Sequence, residues 1–338
     1  MKRLLTILFT TFLALTAVFS SACGEEPQDP TTLRFYAPDG APALAISKFI
    51  NDGENFVENV TMEYNVVSSG DIGGVMQQCL GDLVVMPINA ASKLYKPSQL
   101  VSYKMVSVIT HGNLYVMASN DFDFSNPLGT VIGVIGQGLV PDLTLKAVLT
   151  KLGFGDKITV GDTAIPTKVT LRYFSQASDM IPLLKQGVLS VGLLPEPAAT
   201  NLVKVANNKT WNRIDLQELY DTESKSYPQA VLMVKESIIT HFPDLVTELA
   251  NKFSENVTWV KENTTLAVEA VNSKLATGVT PSLVATNITS EVVDNCKIYW
   301  ESSLDAKQSA IDYINAVIQV GTGMQVPPAK ALEDDFFN

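Results

Sequence analysis

The sequence predicts an α/β protein of two lobes, each a mainly parallel sheet with flanking helices. Three observations carry that expectation. Short runs rich in β-branched and aromatic residues alternate with stretches of helical periodicity, the pattern of strands joined by crossover helices. The alternation pauses near Ala118 and restarts near Thr130, so it comes in two blocks. In both blocks strands end in small polar turns that run straight into a helix start. A chain of 338 residues could hold one core or two; the two blocks favour two lobes.

The first strand is Leu33-Arg34-Phe35-Tyr36-Ala37, closed by Pro38-Asp39-Gly40-Ala41. Pro42 opens a helix bearing Leu44, Ile46, Phe49 and Ile50. Proline suits a first helical position because the N–H it lacks would have no partner there. A strand at 60–67 leads through Ser68-Ser69-Gly70 into a helix at 71–80. A strand at 83–88, a short helix capped by Asn89 and a strand at 101–109 follow, and 113–118 leaves the block as a further strand. The second block has a strand at 130–135, the turn Gly136-Gln137-Gly138, and a helix at 141–152 closed by Gly153. Next come a strand at 168–174, a helix at 176–186 and a strand at 189–194 ending in Pro195-Glu196-Pro197. After Tyr227-Pro228 an apolar strand occupies 229–234. The rest is expected to be helical, at 242–261 with Asp244 near the positive end, at 267–276 and at 305–320. Asp334-Asp335-Phe336-Phe337 is expected to form an exposed tail.

Lys2 and Arg3 precede an almost uncharged run from Leu4 to Phe19, and Ser20-Ser21-Ala22-Cys23 stands before a polar stretch. That is the layout of a secretory signal peptide, and the apolar run is short for a membrane span. A cysteine directly after small residues resembles the lipobox of bacterial lipoproteins, whose cysteine is lipidated and becomes the mature N-terminus. The likeness implies a signal peptide at 1–22, a tether at 23–30 and lipidation at Cys23, with Ser20 where that motif prefers Leu, Val or Ile. The net charge of −11 argues against a nucleic-acid partner, which needs a basic face. It leaves an anionic small molecule open, because a local site can oppose the global sign. Cys79 and Cys296 lack metal spacing and are expected to be buried thiols rather than a disulfide.

In an open α/β sheet the turns after the strands gather at the carboxyl edge, where ligands bind. Their N–H groups and the positive helix ends suit oxyanions and carbonyl oxygens. Candidate contacts are therefore Pro38, Asp39, Gly40 and Ala41 in the first turn; Ser68, Ser69 and Gly70 in the second; Pro87 and Asn89; and Gln137 and Gly138. Ser68 and Ser69 offer hydroxyls, and Gly70 permits close approach to the backbone, although Ser69 could equally serve as a helix cap. Asp39 beside Gly40 is a turn pair as much as a ligand group. Glu196, flanked by prolines, is a stiffly held carboxylate that could accept from a ligand amine or hydroxyl, or stand in solvent. The strand junction at His111 and Asn113 is a candidate cleft edge, and Tyr227 is the best-placed aromatic for a cleft. Gly136-Gln137-Gly138-Leu139-Val140-Pro141 lacks the third glycine and the distant acid of a dinucleotide site, which excludes that function. No Gly-x-Ser-x-Gly, His-Glu-x-x-His or Cys-x-x-Cys is present.

The order of these motifs resembles a known family. Tyr36-Ala37-Pro38-Asp39-Gly40-Ala41-Pro42-Ala43-Leu44-Ala45, Met86-Pro87-Ile88-Asn89, Leu114-Tyr115-Val116, Gly136-Gln137-Gly138 and Leu193-Leu194-Pro195-Glu196-Pro197 follow one another as in ABC-importer substrate-binding lipoproteins. The likeness is to the nitrate/sulfonate/taurine group, which includes binders of thiamine-precursor pyrimidines and riboflavin. It implies the type 2 periplasmic-binding-protein fold, with one lobe of 31–113 plus 229–338, the other of 114–228, and two hinge crossings. It implies a small-molecule solute held between the lobes by the turns named above, a membrane permease as partner, a lipid anchor in the cell envelope, a monomer, no cofactor and no enzymatic activity. No Lys or Arg falls in the matched turns, which favours a neutral or aromatic solute over a small anion. The alternatives are a pyrimidine-precursor synthase-like enzyme, whose cysteine-rich motif is absent here, and a surface lipoprotein that has lost transport.

Overall fold

The computed structural model describes residues 32–119, 121–205, 210–322 and 324–338. The expected leader, tether and lipidated Cys23 lie outside these residues. Among the described residues, twelve strands form two six-stranded sheets. The first sheet contains β1 (Thr32–Pro38), β2 (Thr61–Val67), β3 (Leu83–Pro87), β4 (Tyr103–His111), β11 (Pro228–Lys235) and β12 (Ile298–Ser302). The second contains β5 (Leu114–Ala118), β6 (Val131–Ile135), β7 (Ile158–Val160), β8 (Val169–Phe174), β9 (Val191–Pro195) and β10 (Asn212–Asp215).

Their orders, β12-β4-β11-β3-β1-β2 and β10-β5-β9-β6-β8-β7, repeat one plan. In each, three strands in successive βα units run parallel: β2, β1 and β3 in the first sheet, β8, β6 and β9 in the second. Beside them lies an antiparallel strand that begins where the chain has just crossed from the other sheet: β11 against β3, and β5 against β9. The mainly parallel α/β architecture predicted from the sequence is therefore present in both lobes.

The central strands are buried on both faces, as expected where crossover helices cover a parallel sheet. Leu83 and Val85 of β3 join the cluster of Phe35, Phe49 and Phe253, whereas Val84 and Met86 enter a second cluster on the opposite face. Each fully buried side chain of this size stabilises by about 1.5–3 kcal/mol relative to exposure. The second cluster is shared between the sheets: it runs from Met86 and Met105 through Tyr227 and Tyr313 to Leu114, Val134 and Leu143. The helix Lys307–Val320 is the wedge at this junction, packing on both Val140–Lys151 and Ile88–Leu94. Thr144 and Tyr313 share a buried hydrogen bond of 2.9 Å there.

Four expectations are corrected. The region after β11 is not wholly helical, because β12 pairs antiparallel with β4. The final residues are not an exposed tail: Phe336 and Phe337 are buried, and Asn338 N–H donates to the Met105 carbonyl at 3.0 Å. Asn89 does not cap its helix, which begins at Ile88 with Pro87 at the cap. Cys79 and Cys296 are not a pair of buried thiols: Cys296 is free and buried, whereas Cys79 is disulfide-bonded. The strands β7 and β10 and the helices Ala198–Val205 and Leu216–Tyr220, which no sequence pattern announced, also belong to the second lobe.

Candidate functional site

The turns singled out in the sequence follow the carboxyl ends of parallel strands in both sheets. After β1, Asp39 N–H donates to the Val67 carbonyl at 2.9 Å, tying the first turn to β2. Gly40 has φ 107°, a region that residues with a Cβ rarely enter, so the turn needs glycine. Asp39 Oδ2 accepts from Ser282 N–H at 2.7 Å, while its Oδ1 is buried and has no partner among the described residues. After β2, Ser68 Oγ donates to Asp71 Oδ2 at 2.6 Å, and Ser69 and Gly70 are exposed. After β3, Asn89 is buried and its amide donates to the Pro328 carbonyl at 3.2 Å.

In the second lobe, Gly136 (φ 66°) and Gly138 (φ 76°) both take the left-handed conformation that lets β6 turn into its helix. Gln137 between them is exposed. Gly138 N–H donates to Asp142 Oδ2 at 2.8 Å. Asp142 has no exposed surface; it also accepts from Lys146 Nζ at 2.9 Å and from the Tyr173 hydroxyl at 2.7 Å. The Asp142 charge and burial together push the Tyr173 hydroxyl far above its ordinary range, with burial the larger cause. After β9, Glu196 is buried and fully engaged: Arg213 Nη2 at 2.6 Å and Thr200 Oγ1 at 2.8 Å donate to Oε1, and Thr200 N–H at 3.2 Å donates to Oε2. The Arg213 guanidinium lies 3.7 Å over the Tyr115 ring.

Two segments near the C-terminal end of the chain tie these turns together. Ser282 holds Asp39 in the first lobe, and five residues on Asn287 donates from Nδ2 to Asn201 Oδ1 at 2.8 Å in the second. Lys204 Nζ returns a bond of 2.9 Å to the Asn287 carbonyl. Met324 lies beside Gly138, 3.7 Å from where a Cβ there would stand, while Pro327 and Pro328 accept from Lys93 and Asn89. These segments thus contact elements of both sheets. Two cavities of about 520 and 500 Å³ lie elsewhere, at Asn55–Thr61 and between Leu100 and His241.

The other candidates belong to the hinge. Asn113 is buried, with its N–H donating to Gln229 Oε1 at 3.2 Å and its Oδ1 accepting from Gln229 Nε2 at 3.0 Å. Tyr227 is buried, stacks on Tyr313 at 5.2 Å and donates to Gln217 Oε1 at 3.1 Å. Gln217 Oε1 also accepts from Leu114 N–H, so one side chain joins both crossings. The structure places Asn113 and Tyr227 as hinge residues, in place of the cleft contacts expected. His111 likewise is no cleft residue: it is buried, stacked on Tyr299 at 3.5 Å and paired through Nε2 with Glu301 at 2.8 Å.

Sequence reasoning missed Asp142, Arg213, Ser282 and Asn287. Asp142 had a signal, an acid in the first turn of a helix after proline; the others arrive from distant sequence and had none. Among the described residues, no group of His, Cys, Asp and Glu could hold a metal ion, and no helix is long and apolar enough to cross a membrane.

No protein-family model matches the chain, and no curated protein does. Solved structures do. An ABC transporter protein from Parabacteroides distasonis is 16% identical, with a TM-score of 0.68 over 91% of this chain and 99% of that one. The periplasmic aliphatic sulphonate binding protein SsuA of Escherichia coli is 10% identical, with a TM-score of 0.59 over 90% and 94%. The ligand binding component of an ABC-type import system from Staphylococcus aureus, solved with zinc bound, is 11% identical, with a TM-score of 0.57 over 91% and 96%. The repeated strand order, the paired crossings and these likenesses over nearly the whole length agree: the chain has the two-lobed periplasmic-binding-protein fold of ABC-importer substrate-binding components.

Proposed function

We propose that the chain is the extracytoplasmic solute-binding component of an ABC importer, which captures a small organic or anionic solute between two closing lobes. One observation supports the reading: the Ser282–Asn287 segment bonds Asp39 in one lobe and Asn201 in the other, as expected of a crevice bordered by the turns of both sheets. The lobes correspond to 31–113 with 229–338 and to 114–228, with Lys307–Val320 lying at their junction. Contacts would come from Pro38, Asp39, Gly40, Ala41, Ser68, Ser69, Gly70, Pro87, Gln137 and Gly138. Asn89 and Glu196 serve the site indirectly, because Pro328 and Arg213 already engage them. Closure expels water, so a few hydrogen bonds suffice for a micromolar affinity, about −8 kcal/mol. Only contacts made to both lobes at once favour the closed state.

Delivery to a membrane permease, a monomeric state and the absence of enzymatic activity belong to the same reading. So does a lipid anchor at Cys23, on the outer face of the cytoplasmic membrane or in the periplasm. The N-terminal mass of the mature protein decides that point: a chain that begins at Cys23 and carries the added mass of a thioether-linked lipid is expected. The function is tested by small-angle scattering with and without solutes drawn from a thermal-shift screen. The radius of gyration is expected to fall at saturation; an unchanged radius with every stabilising solute refutes capture by closure.

A further inference from the structure

We infer that the crevice selects solutes bearing a protonated nitrogen — an ammonium, amidinium or guanidinium group — and excludes small oxyanions, with Asp142 enforcing the exclusion and Asp39 accepting the cation. The inference rests on the solute-binding reading above and narrows it to one chemical class.

A glycine turn entering a helix holds an anion through its N–H groups and the positive helix end. In the second lobe the chain supplies that anion itself. Asp142, in the first turn of Val140–Lys151, accepts the Gly138 N–H at 2.8 Å and has no exposed surface. Lys146, at 2.9 Å, neutralises it, so this turn offers a sulfonate or nitrate no net positive charge. Of the other cations at this edge, Arg213 is bound to Glu196 at 2.6 Å and lies flat on Tyr115, and Lys93 and Lys204 are directed to the Pro327 and Asn287 carbonyls. In the first lobe the Ser68 hydroxyl is directed to Asp71 at 2.6 Å. The acceptors are a different matter. Asp39 Oδ1 is buried without a partner among the described residues. A buried acceptor without a donor carries a desolvation cost that a ligand N–H can relieve. A charged donor gains most, because charge-assisted hydrogen bonds are the stronger ones.

Matched probes test this on the full mature chain at constant ionic strength. Benzamidine and n-hexylammonium are titrated against benzenesulfonate, hexane-1-sulfonate and nitrate, with thermal unfolding as the readout. At saturation the cations should raise the midpoint by about 5 °C, and the anions should leave it unchanged. Asp39→Asn keeps an acceptor for Ser282 N–H and should abolish the cation shift. Asp142→Asn leaves Lys146 uncompensated beside Gly138 and should create a sulfonate shift; if it does not fold, the comparison of wild type with Asp39→Asn decides alone. The inference is overturned if a sulfonate or nitrate stabilises the wild type, if neither set does, or if the cation shift survives Asp39→Asn. Scattering separates the two readings. A radius that falls with some other solute class sinks the cation preference and keeps the solute binder, whereas a radius that no solute changes sinks the solute binder.

Discussion

Gly112 sits where the chain leaves β4 for β5, and its lack of a side chain is what lets the two crossings touch. A Cβ there would stand 2.5 Å from the Tyr227 ring and 2.6 Å from Gln217 Cγ, and Gly112 N–H donates to the Tyr227 carbonyl at 2.9 Å. Gly112→Ala therefore overpacks the hinge and should cost about 1–3 kcal/mol, read as a lower denaturant midpoint at unchanged slope. One residue earlier, burial holds the His111 imidazole below its ordinary 6.5, while Glu301 pulls in the opposite direction. The unfolded chain then binds more proton at this residue than the folded protein. Its contribution is fully present above pH 6.5 and is lost as pH falls through the lower folded value. The groups that face it are Glu301, the Tyr299 ring and the Lys297 carbonyl, and none supplies a cation. Between about pH 7 and pH 5, stability should fall less steeply in His111→Gln than in the wild type. Parallel stability curves in urea would show that His111 does not titrate with folding.

At the scale of elements, the helix Ala198–Val205 meets the Ser282–Asn287 segment, and on the solute-binding reading proposed above this meeting holds the crevice closed. The contacts are few and polar: Asn287 to Asn201, and Lys204 to the Asn287 carbonyl. Each is partly exposed and worth about 0.5–1.5 kcal/mol. Asn287→Ala with Lys204→Met removes both and should shift the solute-free protein towards an open form, seen as a larger radius of gyration with little change in thermal midpoint. A radius equal to that of the wild type would show that the apolar junction alone sets the angle between the lobes. These elements also mark how far the sequence could be read. The parallel strands and their turns were legible because each βα unit carries its own signals: a two-sided apolar run, a glycine or proline turn and a helix start. Gly40 and Gly138 were rightly placed for the same local reason. β12 and β10 were not legible, because short edge strands that are half-exposed along most of their length resemble loops until a neighbour pairs with them. Tyr227 was misread because an aromatic at a lobe crossover looks the same in sequence whether it faces a cleft or stacks on Tyr313, which lies 86 residues later in the chain. The roles of Asn89 and Glu196 were hidden in the same way, since Pro328 and Arg213 reach them only through the tertiary fold.

At the scale of the whole molecule, the two lobes share one apolar junction, and this should govern how the protein unfolds. Lobes joined only by two hinge strands would melt independently, because interfaces between domains are commonly small and polar. Here Tyr220, Tyr227 and Tyr313 pack ring against ring at 5.1–5.7 Å, next to Leu143 of the second lobe and Met86 of the first. The helix Lys307–Val320 carries Tyr313 into this cluster and then returns the chain to the first sheet, where Phe337 pairs with Met105. Losing either lobe would expose the apolar face of the other, so the expected transition is single and cooperative, with calorimetric and van't Hoff enthalpies in agreement. Tyr313→Ala should cost about 3–5 kcal/mol by opening a cavity at the junction. It should also split the transition, because the cavity lies where the two lobes depend on each other. Tyr313→Phe is the control: it loses only the Thr144 bond, should cost about 1 kcal/mol, and should leave one transition. Two resolved transitions in the wild type would mean that the junction does not couple the lobes, and closure would then be a motion of independent bodies about the hinge.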